Sequence, residues 1–139
     1  MKKEVVNSIG VFEEIVRQEH TAVLDGCTIH PVYSTFWLAY HTEAASRRAI
    51  EPYFDEGENA VGAAISLRHI AMAGIGENIK IQAKVKKISG AKIICKITVT
   101  ASERVIALGT QTQIVMPQSR IDVLIREANF SALSIEAPK

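Results

Sequence analysis

The chain has 139 residues, 22% of them charged and 47% hydrophobic, which is the make-up of one ordinary folded domain able to bury about two-thirds of its unfolded surface. Sixteen basic side chains against fifteen acidic ones leave a net charge of +1, so no field gathers a phosphate backbone or an anionic membrane, and neither nucleic acid nor membrane is an expected partner. The opening Met1 to Asn7 has no sustained apolar run or small-residue cleavage site, and no uncharged stretch is long enough to span a bilayer, so a cytoplasmic location is expected.

Cys27 and Cys95 are far apart and are expected as free thiols in a reducing setting. Cys27 precedes His30 by three residues, but no second Cys/His pair completes a zinc set, and no metal site is expected. No repeat, linker or low-complexity run divides the sequence, which predicts a single domain over residues 1–139 with a loose start and a loose end after Phe130. Six of the eight aromatic residues, Tyr33, Phe36, Trp37, Tyr40, Tyr53 and Phe54, crowd into one segment.

Residues Phe12 to Val23 read as an uneven strand, followed by a loop that opens at Asp25-Gly26 and closes at His30-Pro31. From Val32 to Ile50 there is no internal Gly or Pro, and Phe36, Tyr40, Glu43, Arg47 and Ile50 recur at helical intervals, so a helix is predicted with these residues on its packed side. Pro52 ends it, and Asp55 to Asn59 is a solvated turn. The period then becomes two. Val61, Ala63, Ile65, Leu67, His69 and Ala71 fall on one face, with Gly62, Ala64, Ser66 and Arg68 on the other. Ile79 to Lys86 alternates apolar and basic residues, Ser89-Gly90 makes a two-residue turn, and Ile93 to Val99 alternates again. Ser102-Glu103 turns the chain into a last strand from Val105 to Met116. Ser119 and Asp122 read as the cap of a short terminal helix. The sum is an α+β domain, a four-strand antiparallel meander covered by one long helix, with edge strands that pairing with a second copy would protect.

These periods force two ionisable residues inward. Glu43 shares the helix side of Phe36 and Tyr40, His69 lies on the apolar face of its strand, and Thr35, eight residues before Glu43, can share that side of the helix. Together a carboxylate, an imidazole and a hydroxyl supply the base or nucleophile, proton carrier and hydrogen-bond donor that hydrolysis of an activated acyl group needs. On periodicity alone a buried Glu–His pair serves structure more often than catalysis. His20 and His41 belong to no clear apolar stripe and read as solvated.

At these residues the sequence resembles a known family. Thr35, Glu43 and His69, with Gly62 seven residues before the histidine, the run from Ala49 to Glu58, the Val61 to Ile65 strand and Gly109-Thr110 are similar to the fluoroacetyl-CoA thioesterase branch of the hotdog-fold thioesterases, from about His20 to Met116. The resemblance implies a hotdog fold, an antiparallel sheet wrapped around one long central helix, in a homodimer with its acyl-CoA substrate in a cleft at the interface. It implies Glu43 as nucleophile or general base, His69 as activator of water or proton donor to the thiolate, and Thr35 as the orienting hydroxyl. The Gly62 backbone N–H would approach the acyl group, and no cofactor is implied beyond the CoA thioester as substrate. Two departures bear on substrate. Leu24 to Val32 is shorter than the aromatic lid of the fluoroacetate-specialised members and carries no Phe, and Gln113, a substrate-binding position, stands where they have Arg. Both favour a general short- or medium-chain acyl-CoA. The alternatives are a module that binds acyl-CoA without turnover and a hotdog enoyl-thioester hydratase.

Overall fold

The computed structural model describes residues 1–136. Seven strands and two α-helices run in the order β1 (Ile9–Ile15), β2 (Thr21–Leu24), β3 (Cys27–Tyr33), α1 (Thr35–Ile50), β4 (Glu58–His69), β5 (Asn78–Ser89), β6 (Lys92–Ala101), β7 (Arg104–Pro117) and α2 (Gln118–Glu136). Five strands form one antiparallel sheet in the order β1-β5-β6-β7-β4, and β2 with β3 forms a separate ribbon. No helix among the described residues is long and apolar enough to cross a membrane.

The alternation in β5 and β6 makes the sheet's inner face. Ile79, Ile81, Ala83 and Val85, with Ile93, Cys95, Ile97 and Val99, are fully or almost fully buried, and each buried Ile or Val contributes about 1.5–3 kcal/mol. Helix α1 lies in the curl of that face. Ser34 caps it, its hydroxyl oxygen accepting the Trp37 N–H at 3.1 Å, so the helix starts at Thr35 and not at Val32. A 3-10 turn over Glu51–Tyr53, with Pro52 inside it, ends the helix as predicted. The buried stripe is Leu38, His41, Thr42, Ala45, Ser46, Ala49 and Ile50. Phe36 and Tyr40 are 70% and 59% exposed, so the packed side is rotated away from the aromatic repeat. Close approach explains the rotation. A Cβ on Gly10 of β1 would lie 2.1 Å from the Ala45 carbonyl oxygen, so the helix seats its small residues, not its rings, against the sheet.

Several element boundaries differ from the sequence pattern. The stretch from Phe12 to Val23 is not one strand, because a 3-10 turn at Gln18–His20 separates β1 from β2 and sends them to different sheets. Asp25-Gly26 opens no loop. Both residues have positive φ, 51° and 75°, and form a two-residue hairpin turn that lets residues through Tyr33 pair back as β3. The Ser102-Glu103 turn is as predicted, again with two positive φ angles, while the preceding turn sits at Gly90-Ala91, one residue later than expected. The last four strands are not a simple meander. β5, β6 and β7 are consecutive neighbours, but β4 pairs with β7 and becomes an edge, and β1 pairs with β5 at the other edge. Helix α2 starts at Gln118 and continues past Phe130, where a loose end was expected; residues 137–139 lie outside the described residues.

One irregularity shapes the site. Between Gly62 and Ala64 the pairing with β7 advances by one residue, from Gln113 to Thr112, leaving Ala63 as the extra residue of a β-bulge. The bulge reverses the side-chain phase along β4. Gly62 therefore faces inward together with Ile65, Leu67 and His69, not away from them as unbroken alternation predicts.

Candidate functional site

Thr35 is the first residue of α1 and His69 the last of β4. The threonine hydroxyl lies 3.0 Å from His69 Nδ1, so the helix start is tied to the strand end by one polar contact. His69 Nε2 is buried with no hydrogen-bonding partner among the described residues. Burial pushes the imidazole pKa below its ordinary 6.5, which keeps the ring neutral at physiological pH. Both residues line a cleft of about 300 Å³ whose other walls include Tyr33, Val32, Ile70 and Met72. A neutral imidazole in the wall of a cleft, with one nitrogen fixed by a hydroxyl, can take or deliver a proton there.

Glu43 lies eight residues further on, about 12 Å along the helix axis at 1.5 Å per residue, and does not line the Thr35–His69 cleft. Within one chain the three residues do not converge. Glu43 is exposed at the rim of two other depressions, one shared with Phe36, Ala39, Tyr40 and Ile65, the other with Arg47, Ala60, Gly62, Gln111 and Gln113. The reason for a glycine at Gly62 is visible here. A Cβ at that position would stand 2.8 Å from Glu43 Oε1, so only glycine lets the carboxylate rest against the strand backbone. Gln113 is 4% exposed and its Nε2 has no partner among the described residues; Gln111, two residues earlier on the same inward face, is 2% exposed with an unpartnered Oε1. Gln111 was missed in the sequence. Its signal was there in the alternation of β7, which turns two amides inward where apolar residues would be ordinary.

His20 and His41 are not solvated. They are 3% and 2% exposed, and together with half-buried Glu14 they present ligand-type atoms within 4.8 Å of one another. Their hydrogen bonds argue for a structural set. The His20 Nδ1 accepts the Arg17 backbone N–H at 3.0 Å, so its proton sits on Nε2 and that nitrogen has no lone pair for a metal. His41 Nδ1 lies 2.6 Å from the Tyr33 hydroxyl, whose pKa burial raises far above its ordinary value. Cys27 and His30 are exposed, and Cys95 is buried with its thiol pKa pushed up to about 11. A thiol so protonated is a packing group, not a nucleophile.

Comparison with known proteins agrees with this architecture. The chain is 27% identical to a Thermus thermophilus protein described as a thioesterase superfamily member, with a TM-score of 0.89 over 93% of this chain and 96% of that one. A hot-dog-like protein from Thermanaerovibrio acidaminovorans superposes with a TM-score of 0.82 at 16% identity, over 90% of this chain and 94% of that one. A mutant of the fluoroacetyl-CoA-specific thioesterase superposes with a TM-score of 0.78 at 20% identity, over 88% and 96% of the two chains. The fold is the hotdog fold, a curled antiparallel sheet around one long helix. In sequence, the fluoroacetyl-CoA thioesterase of Streptantibioticus cattleyicolor is 24% identical over 96 residues, 69% of each chain. With residues 16–119 matching its model, the chain belongs to the fluoroacetyl-CoA-specific thioesterase family.

Proposed function

We propose that the chain hydrolyses short- or medium-chain acyl-CoA thioesters to the free acid and CoA, with Thr35, Glu43 and His69 as the reacting set. Membership of a thioesterase family supports thioester hydrolysis, and one observation carries the residue assignment: the Thr35 hydroxyl lies 3.0 Å from a neutral His69, and both residues line one cleft. His69 Nε2 takes a proton from water or returns one to the departing thiolate, while Thr35 fixes the ring through Nδ1. Glu43 is the carboxylate that attacks the thioester carbonyl or draws the proton from the attacking water. The Gly62 opening brings its oxygen against the strand, where an acyl group can lie beside a bare backbone. A related thioesterase of the family has been crystallised with fluoroacetate and CoA, which supports a CoA ester as the ligand class.

The working unit we propose is a homodimer. Strand β4 is an edge of the sheet, Val61 and Ile65 on it are uncovered, and Phe36 and Tyr40 project beside it. Gly62, against which Glu43 rests, and His69 lie on either side of Ile65. Antiparallel pairing of β4 with its copy about a two-fold axis near Ile65 brings Glu43 of one subunit toward the partner's Thr35 and His69. The gap between Glu43 and His69 within one chain is then closed across the interface. Thiol release from acyl-CoA tests the assignment: Glu43→Ala and His69→Ala each remove it with the far-UV circular dichroism unchanged, and full activity in both variants would falsify the residue set.

A further inference from the structure

The Glu43 cleft has a chemical bias that the Thr35–His69 cleft lacks. Gln111 and Gln113, both more than nine-tenths buried on the inner face of β7, leave one acceptor, Oε1 of Gln111, and one donor, Nε2 of Gln113, without partners among the described residues. Both side chains line the small depression with Glu43, Arg47, Ala60 and Gly62. The neighbouring depression at Phe36, Tyr40 and Ile65 is apolar. A plain alkyl chain entering between the glutamines would leave a buried donor and a buried acceptor unpaired.

From this we infer that the cleft between β7 and Glu43 selects acyl-CoA substrates that carry a hydroxyl group close to the thioester. The inference rests on the acyl-thioester reading of the site and adds the substrate class. Three arguments favour a hydroxyl over other polar groups. It donates and accepts at once, so it satisfies the Gln111 oxygen and the Gln113 nitrogen together, and it still does so if both amides are turned end for end. A carboxylate offers acceptors only and would sit beside Glu43, while the Arg47 guanidinium that could attract it is held by Glu51 at 3.0 Å and the Ala60 carbonyl at 3.2 Å. An ammonium offers donors only and leaves the Gln113 N–H unmet. Sites built to hydrogen-bond a substrate group discriminate strongly against the analogue that lacks it, because their own buried groups are left unpaired.

The test compares kcat/KM for hydroxyacetyl-CoA and 3-hydroxybutyryl-CoA with acetyl-CoA and butyryl-CoA, for the full chain and for Gln111→Met and Gln113→Met. The hydroxyacyl esters are expected to be favoured by at least about 10-fold, with the ratio falling toward unity in each variant. That ratio is taken within one protein, so a variant that folds poorly lowers both rates and leaves it intact. Calorimetric titration with the non-hydrolysable thioethers S-(2-hydroxyethyl)-CoA and S-ethyl-CoA gives a second reading that needs no turnover. Preference for the hydroxyethyl thioether without thiol release from any ester would sink the hydrolytic reading and keep this one. Thiol release with equal kcat/KM for hydroxyacyl and alkyl esters, or a wild-type preference unaltered in both glutamine variants, overturns the inference and leaves hydrolysis standing.

Discussion

A methyl group added at Gly62 would meet the end of a side chain, Glu43 Oε1 at 2.8 Å, whereas one at Gly10 would stand 2.1 Å from the Ala45 carbonyl oxygen and 2.4 Å from the Ala49 nitrogen, both backbone atoms. The first neighbour can swing aside and the second cannot. Gly62→Ala is therefore expected to lower kcat by about 100-fold through a displaced carboxylate, with its denaturant midpoint almost unmoved. Gly10→Ala should lower unfolding free energy by about 1–3 kcal/mol in a urea titration, because it pries α1 off β1. The buried histidines make a second prediction. Burial first, and then the neighbouring His20, lower the His41 pKa from 6.5, with Glu14 opposing, so the unfolded chain binds the proton more readily than the folded one. The stability this neutral ring contributes is complete above pH 6.5 and is lost as the pH falls below it, together with a like contribution from His69. His41→Gln should flatten, without abolishing, the fall of unfolding free energy between pH 7 and 5. At this scale the alternation of β4 set His69 on the inward face, as the structure has it, whereas Glu43, expected on the packed side of α1 with Phe36 and Tyr40, is exposed with them. His41 could not be picked from the sequence, since the stripe it belongs to is built of alanines, Thr42 and Ser46, and hydrophobic periodicity points instead to the exposed Phe36 and Tyr40.

Between elements, the loop from Ile70 to Glu77 carries one wall of the Thr35–His69 cleft, and the Glu77 carboxylate braces it beside backbone hydrogen bonds to Val16, Tyr33 and Ile106. Glu77 accepts from Arg104 at 2.6 and 2.9 Å, from the Ser102 hydroxyl at 2.8 Å and from the Gly74 N–H at 2.7 Å, while Arg104 also donates to the Met72 carbonyl at 2.8 Å. The Arg104 hydrogen bond above all, then those from Gly74 and Ser102, hold the Glu77 carboxyl down at about 2. A carboxyl with its folded pKa so depressed contributes stability that is full above its ordinary 4.5 and disappears as the pH falls toward 2. Glu77→Gln should remove that acid-dependent loss and speed hydrogen exchange at the Gly74 amide, and exchange unchanged from wild type would show that the loop is held by other means. The cluster joins residues of two segments some twenty-five positions apart, so no local pattern could announce it. The same limit applies to the bulge at Ala63. Alternation is a local rule, and the partner strand that forces an extra residue is fifty positions away, so the sequence set Gly62 on the wrong face while placing the strand itself correctly.

For the whole molecule the question is where Glu43 finds an imidazole. The sheet's edge at β4, the uncovered Ile65, and the projecting Phe36 and Tyr40 all argue for a two-fold partner, and charge at the centre of that edge should break it. Ile65→Lys is expected to halve the mass measured by light scattering and to abolish thiol release. That result alone does not tell a shared site from a merely stabilising dimer, and mixing variants does. Glu43→Ala and His69→Ala subunits are each expected to be inactive alone, with either origin of the site. In a mixed dimer whose sites each take Glu43 from one subunit and His69 from the other, one site carries both lesions and the other carries neither. Random exchange puts half the subunits into mixed dimers, so co-refolded equal amounts should recover about one quarter of wild-type activity. If each site took both residues from the same chain, every site in the mixture would carry one lesion and no activity would return. Recovery near one quarter, measured as thiol release after co-refolding and lost again in the Ile65→Lys background, is the outcome expected from the separation along α1 of Glu43 from Thr35, which holds His69.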